Sequence, residues 1–206
     1  MLSPVDCAGC GAADRALCAR CRAALLGPLT VGRLTDGTPL VSALRYEGPA
    51  RRAILLFKEQ GRTDIAAALG SRLATAIGAA VVGPVELVPL PPSRGSLARR
   101  GYDPVRTLLV AAGLPSSAVL RRRSAGVTQK TLDRDSRRSN VVGSLVARAP
   151  LTGRRILLVD DVTTTGATIE EAARAVREAG GAVIGAATLA FTPRLLPDRG
   201  EFSRIP

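Results

Sequence analysis

Two adjacent carboxylates, Asp160 and Asp161, stand directly before Val162, three threonines (Thr163, Thr164, Thr165), Gly166, Ala167 and Thr168. A phosphate needs several convergent N–H donors. A turn that opens a helix supplies them, together with the positive end of the helix dipole. The threonine hydroxyls add donors, and Gly166 lets a ligand come close to the backbone. The aspartates would repel phosphate, so they must address a different part of the same ligand. Vicinal ribose hydroxyls, held directly or through Mg²⁺, suit them. Neither a P-loop signature nor a GxGxxG turn after a strand occurs, so the two commonest nucleotide-phosphate sites are not in play.

Three other groups could do chemistry. Cys7, Cys10, Cys18 and Cys21 form a CxxC-x7-CxxC pattern in which two thiolate pairs can complete a tetrahedral zinc site. Paired disulfides are the alternative, and they suit an oxidising compartment rather than the cytoplasm expected below. Four thiolates leave no open coordination position, so a zinc here is structural. Arg94, Arg99 and Arg100, with Gly95 and Gly101, make a basic, flexible stretch after an apolar run, suited to a diphosphate or a nucleic-acid backbone. The segment 121–140 is highly charged, lacks a hydrophobic period and holds Gln129, Arg137 and Asn140, as expected of a loop or short helix that closes over a site.

Elements must bring these groups together. Ile156–Val159 reads as a strand buried on both faces that ends at the acidic pair, and Thr168–Ala179 as an amphipathic helix stopped by Gly180-Gly181. Glu170–Arg174 and Arg174–Glu178 are expected to pair on its outer face. Ligands of open α/β sheets bind at the carboxyl ends of the strands, which is where the motif falls. Strands are also expected over Leu40–Tyr46, Val85–Leu90, Ala118–Leu120, Val142–Val146 and Ala182–Ala190. Helices are expected from Pro49 to Gly61, from Asp64 to Ala80 and from Pro104 to Ala112, with Pro91–Asp103 as a loop. The fold class is α/β, a mainly parallel sheet flanked by helices. A zinc knuckle over 1–27 precedes the main domain at 40–192, and 193–206 forms a loose tail.

The chain has 206 residues and a net charge of +12. Eleven basic residues and only three acids lie between Arg94 and Arg138, so the excess is concentrated beside the candidate site. This favours a polyanionic partner. Histidine is absent, which excludes a Ser-His-Asp triad, a Cys-His pair and histidine metal ligands. No signal-peptide pattern and no long uninterrupted apolar run occurs, so a soluble cytoplasmic protein is expected.

The stretch ILLVDDVTTTGAT resembles the PRPP-binding motif of type I phosphoribosyltransferases. That likeness implies that Asp160 and Asp161 hold the ribose hydroxyls and Mg²⁺, and that Thr163 to Thr168 cradle the 5′-phosphate. The rest of the chain resembles the ComF/ComFC competence-associated proteins, which join a four-cysteine zinc module to a phosphoribosyltransferase domain. Phe57-Lys58 with Gly61, Val88-Pro89-Leu90-Pro91 with Arg94 and Arg100-Gly101-Tyr102, and Gln129, Leu132, Arg137 and Asn140 followed by Val141 and Gly143 match that family's elements. The likeness runs from about Cys7 to Ala190. It departs where the family's Arg-Gly-Phe-Asn-Gln reads Arg100-Gly101-Tyr102-Asp103-Pro104.

The resemblance implies transfer of a phosphoribosyl group from PRPP, with Arg94, Arg99, Arg100 and Gly101 at the pyrophosphate, Gln129 to Asn140 closing over it, and a link to DNA uptake. Recognition of PRPP and catalysis on it are separate questions, and the motif speaks to the first. The alternative is a non-catalytic single-stranded DNA-binding protein of transformation or recombination, working with competence and recombination proteins and using the PRPP fold as scaffold or sensor. Because only Tyr46, Tyr102, Phe57, Phe191 and Phe202 are aromatic, such binding would rest on backbone electrostatics rather than base stacking.

Overall fold

The computed structural model describes residues 5–123, 142–193 and 203–205. Its centre is a six-stranded sheet in the order β3-β6-β7-β2-β1-β8. The strands are β1 Leu29–Arg33, β2 Pro39–Arg45, β3 Glu86–Pro89, β6 Arg155–Thr163, β7 Ala182–Phe191 and β8 Ser203–Ile205. Neighbours from β3 through β6 and β7 to β2 run parallel, and β1 pairs antiparallel with both β2 and β8. A separate antiparallel pair joins β4 Leu120–Arg122 to β5 Leu145–Ala147.

Alternation along β6 explains the two-sided core. Leu157 and Val159 face one apolar cluster, built with Ile54, Phe57, Leu69, Leu73 and Leu108. Ile156 and Leu158 face the other, built with Val88, Ile169, Ala172 and Val176. Successive strand side chains point to opposite faces, so a strand covered on both sides must be apolar at every position. These four residues are fully buried, each worth roughly 1.5–3 kcal/mol on transfer from water. Helices α2 Gly48–Gln60, α3 Ala66–Ala80 and α5 Pro104–Ala111 carry residues of the first cluster, and α6 Ala167–Glu178 carries residues of the second.

The N-terminal knuckle, with its short helix α1 Ala19–Ala24, shares the first cluster: Cys7, Ala8, Leu17, Cys21 and Leu25 pack with α2. Three features differ from expectation. Residues 29–33, which fall between the expected knuckle and the expected main domain, form β1 because a hairpin to Pro39–Ser42 satisfies their backbone. The tail beyond 193, expected to be loose, contains β8, which pairs with Leu29–Val31. The stretch after β3, expected as a loop, holds a helix, α4 Arg94–Arg100, capped by Ser93 Oγ accepting from Ser96 N at 3.0 Å. That serine cap outweighs the helix-weakening Gly95 in a seven-residue segment.

Candidate functional site

Strand β6 does not end at the acidic pair. It continues to Thr163 because β7 extends to Phe191 and keeps offering partners: Asp160 pairs with Thr188, Val162 with Ala190 and Thr163 with Phe191. The pair thus occupies the sixth and seventh of the strand's nine residues. Thr164 and Thr165, both exposed, make the turn into α6. Gly166 caps the helix at φ +79°, and a Cβ there would stand 2.6 Å from Leu34 Cδ2, so both conformation and space require glycine. The first-turn N–H groups of a helix have no intrahelical carbonyl to bond. At the start of α6 they lie beside the Thr164–Thr165 turn, as an anion cradle needs.

The two aspartates sit in different environments. Asp161 takes the Lys58 ammonium with Nζ 2.9 Å from each of its carboxylate oxygens, both side chains largely out of solvent. Its Oδ1 also accepts from Val162 N at 2.6 Å. Asp160 Oδ1 accepts from Asp161 N at 2.8 Å. Burial and then the charge of Asp161 push the Asp160 pKa up to about 7, against the pull of that N–H and of Lys58 and Arg122. This donor set is all oxygen, which suits Mg²⁺ rather than a thiophilic ion.

The three arginines belong to α4 rather than to the threonine turn. Arg94 opens α4, while Arg99 and Arg100 occupy its last turn. Arg99 Nη2 donates to Glu59 at 3.0 Å, and Arg100 pairs with the other oxygen of the same carboxylate. Arg100 and then Arg99 hold the Glu59 carboxyl below its usual range. Gly101 closes α4, donating its N–H to Leu97 O. Tyr102 stacks edge-on against Phe57 at 5.7 Å and donates to Phe57 O. Asp103 caps α5, accepting from Arg106 N at 3.2 Å ahead of Pro104 in the first helical turn. The departure from the ComF pattern therefore builds a helix start. Gln129, Arg137 and Asn140 lie outside the described residues.

Helix α6 is fixed from two sides. Glu170, expected to pair with Arg174, instead accepts from Thr35 N at 2.8 Å, from Thr35 Oγ1 and from Asp36 N, clasping the β1–β2 turn over Gly166. Buried Glu171 accepts from Leu145 N at 2.9 Å and from Arg174, whose Nη2 donates to Leu145 O. This ties β5 to the helix. The expected Arg174–Glu178 pair forms.

Lys58 and Glu59 were not among the expected site residues. Lys58 lies four positions after buried Ile54, so it projects from the edge of the buried stripe of α2 rather than from its solvent face. That placement was the available signal.

The cysteine sulfurs all lie within 4.8 Å of one another, and Cys10 and Cys18 are 3.7 Å apart. Ligand atoms about 2.3 Å from a tetrahedral zinc stand about 3.8 Å from each other. The cluster therefore fits such an ion. Cys18 N donates to Cys7 Sγ at 3.2 Å. Although burial opposes it, N–H donors of Cys18, Cys10 and Gly9 bring Cys7 down to about 6. Thiolate is the form that ligates metal.

Residues 104–201 match the family model described as "Phosphoribosyl transferase domain". The chain is 36% identical over 90 residues to an orotate phosphoribosyltransferase of Mycobacterium avium (strain 104), covering 43% of this chain and 44% of that one. It is 44% identical over 57 residues to an orotate phosphoribosyltransferase of Xylella fastidiosa (strain M12), covering 28% of this chain and 26% of that one. It thus spans less than half the length of these curated relatives. An orotate phosphoribosyltransferase structure from Aeropyrum pernix aligns with 88% of this chain and 80% of its own at 21% identity, with a TM-score of 0.37. The matched stretch contains the acidic pair, the threonine turn and α6, whereas the cysteines, Lys58 and α4 precede it. Residues 104–201 are thus similar to a phosphoribosyl transferase domain, and part of the chain is similar to orotate phosphoribosyltransferases. No helix among the described residues is long and apolar enough to cross a membrane.

Proposed function

We propose that this is a ComF-type protein whose phosphoribosyltransferase domain binds PRPP with Mg²⁺ and transfers its phosphoribosyl group to an acceptor in the handling of incoming DNA. The observation that supports this reading is the placing of Asp160 and Asp161 in the carboxyl-terminal half of β6, a few residues before the glycine-capped start of α6. One ligand can then present ribose hydroxyls to the carboxylates and its 5′-phosphate to Thr163–Thr168. The diphosphate faces Arg94, Arg99 and Arg100. In transfer, the bond from C1 to the diphosphate oxygen breaks and one from C1 to the acceptor forms, the acceptor losing its proton. Cationic character on C1 is stabilised by the adjacent carboxylates, so the protein contributes mainly position and charge. Mg²⁺ would neutralise diphosphate charge, and the oxygens of Asp160 and Asp161 are the groups here that suit it. The four thiolates would hold a structural zinc.

Titrating PRPP with Mg²⁺ into the wild type and the Asp160→Asn/Asp161→Asn variant tests the reading. Binding by the wild type and its loss in the variant are expected; a wild type that does not bind sinks it.

One observation favours the second reading, a single-stranded DNA-binding protein. A cleft of about 760 Å³ beside β3 is lined by Arg106, Arg121, Arg122 and Arg148, none ion-paired with another described residue. Such a surface suits phosphodiesters, and binding there should weaken steeply with salt. Undetectable or salt-insensitive binding removes this reading. Binding untouched by the Asp160→Asn/Asp161→Asn change would put DNA on a separate surface from the acidic pair.

A further inference from the structure

Two neighbouring residues at the end of α2 hold the two halves of the proposed site. Lys58 neutralises Asp161 from 2.9 Å, and Glu59 bridges Arg99 and Arg100, whose two charges exceed its own. The acidic pair and the arginine helix are far apart in sequence, and this one helical turn bridges them. Asp161, Lys58 and Arg100 are only 13%, 18% and 12% exposed at the side chain, whereas Arg99 is 63% exposed, so the Lys58–Asp161 pair is the sheltered one and the Arg99–Glu59 pair lies at the surface. Arg100 Nε is buried with no hydrogen-bond partner. The cluster therefore has donor capacity that its own carboxylate does not use.

A ligand entering this site must rearrange these pairs. Ribose hydroxyls that take the oxygens of Asp161 displace the ammonium that spans both of them. A diphosphate that docks on Arg99 and Arg100 competes with Glu59 for the Nη2 groups that now hold its carboxylate, while Arg100 Nε adds a donor that Glu59 leaves unused. Displaced Lys58 then needs a new anion, and the diphosphate is the anion of this ligand on that side. Resting on the PRPP reading above, we propose that Lys58 is a diphosphate-binding residue held in reserve by Asp161. On the same reading, Glu59 occupies the arginine subsite until diphosphate replaces it. The exchange is a specificity device. Ribose 5-phosphate frees Lys58 without giving it a partner, and pyrophosphate alone leaves Lys58 on Asp161. Only a ligand carrying both groups both releases Lys58 from Asp161 and gives it a new partner.

The test is calorimetric titration of PRPP, ribose 5-phosphate and inorganic pyrophosphate, each with Mg²⁺, into the wild type, Lys58→Met, Lys58→Arg and Glu59→Gln. Loss of a charge-assisted contact predicts that Lys58→Met weakens PRPP by about 10- to 100-fold. Ribose 5-phosphate should bind this variant as well as the wild type or better, so the preference for PRPP collapses. Lys58→Arg, which keeps the charge and guards against a folding defect, should retain most of the PRPP affinity. Glu59→Gln should bind pyrophosphate more tightly than the wild type. The inference is overturned if Lys58→Met weakens PRPP and ribose 5-phosphate by the same factor, or neither. If the wild type binds none of the three ligands, the PRPP reading itself falls, and this inference with it.

Discussion

Asp160→Asn separates what this carboxylate costs from what it does. Burial and the charge of Asp161 move its pKa from 3.8 to about 7. A carboxyl with a raised folded-state pKa holds its proton more tightly in the native chain than in the unfolded one. Stability is then greatest below about 3.8 and falls as pH rises toward 7. At 1.36 kcal/mol per pKa unit, the interval from 3.8 to about 7 corresponds to a ceiling of about 4 kcal/mol. Asparagine keeps an oxygen for the Asp161 N–H, 2.8 Å away, and removes the charge. Asp36, Asp64, Glu59, Glu86 and Glu171 are held low by arginines, and partial burial raises Asp103. All are common to both proteins and cancel in the difference. Urea unfolding without Mg²⁺ at about pH 5 and pH 8 should show the wild type losing roughly 2–4 kcal/mol relative to the variant. The variant should be the more stable protein at pH 8 and the weaker PRPP binder there. Wild-type binding should tighten as pH rises through 7, where Asp160 ionises. Parallel stability profiles, or undiminished PRPP binding by Asp160→Asn, would refute the reasoning.

Gly166→Ala places an L residue at φ +79° and a Cβ against Leu34. It should cost about 1–2 kcal/mol from conformation alone and abolish phosphate binding. Adding Leu34→Ala should restore only the part due to the clash, as read by urea unfolding and ribose 5-phosphate titration. Glu171→Ala removes the buried acceptor of Leu145 N and the partner of Arg174. A loss of about 2–4 kcal/mol is expected in thermal or urea unfolding, less for Glu171→Gln, which keeps an acceptor. Metal analysis of the wild type should find about one zinc per chain. Gly9→Ala, whose Cβ would stand 2.6 Å from Cys21 Sγ, should lower that content sharply.

The motif at 156–169 was legible because its parts are contiguous: an apolar run, two acids, a hydroxyl turn and an amphipathic helix follow one another within a few residues. The cysteines were legible for the same reason, since two short CxxC turns carry their own geometry. Local signals also supported α2, α3, α5 and β7 to within a residue or two. By contrast, α4 was read as a loop because glycine and arginine outweighed a single serine cap, and the length of β6 depended on a strand it meets only in the sheet.

Sequence alone determined which functional groups the acidic pair, the threonine turn and the four thiols place side by side, because neighbouring residues encode local conformation and its functional groups together. Tertiary structure decided which charges meet. Lys58 on Asp161, Glu59 on two arginines, Glu170 on the β1–β2 turn and Glu171 on β5 are contacts between segments with no common period, brought together by burial of the two faces of one sheet. Coulomb interactions act across space rather than along the chain, so these pairs became visible only once the packing had set their distances.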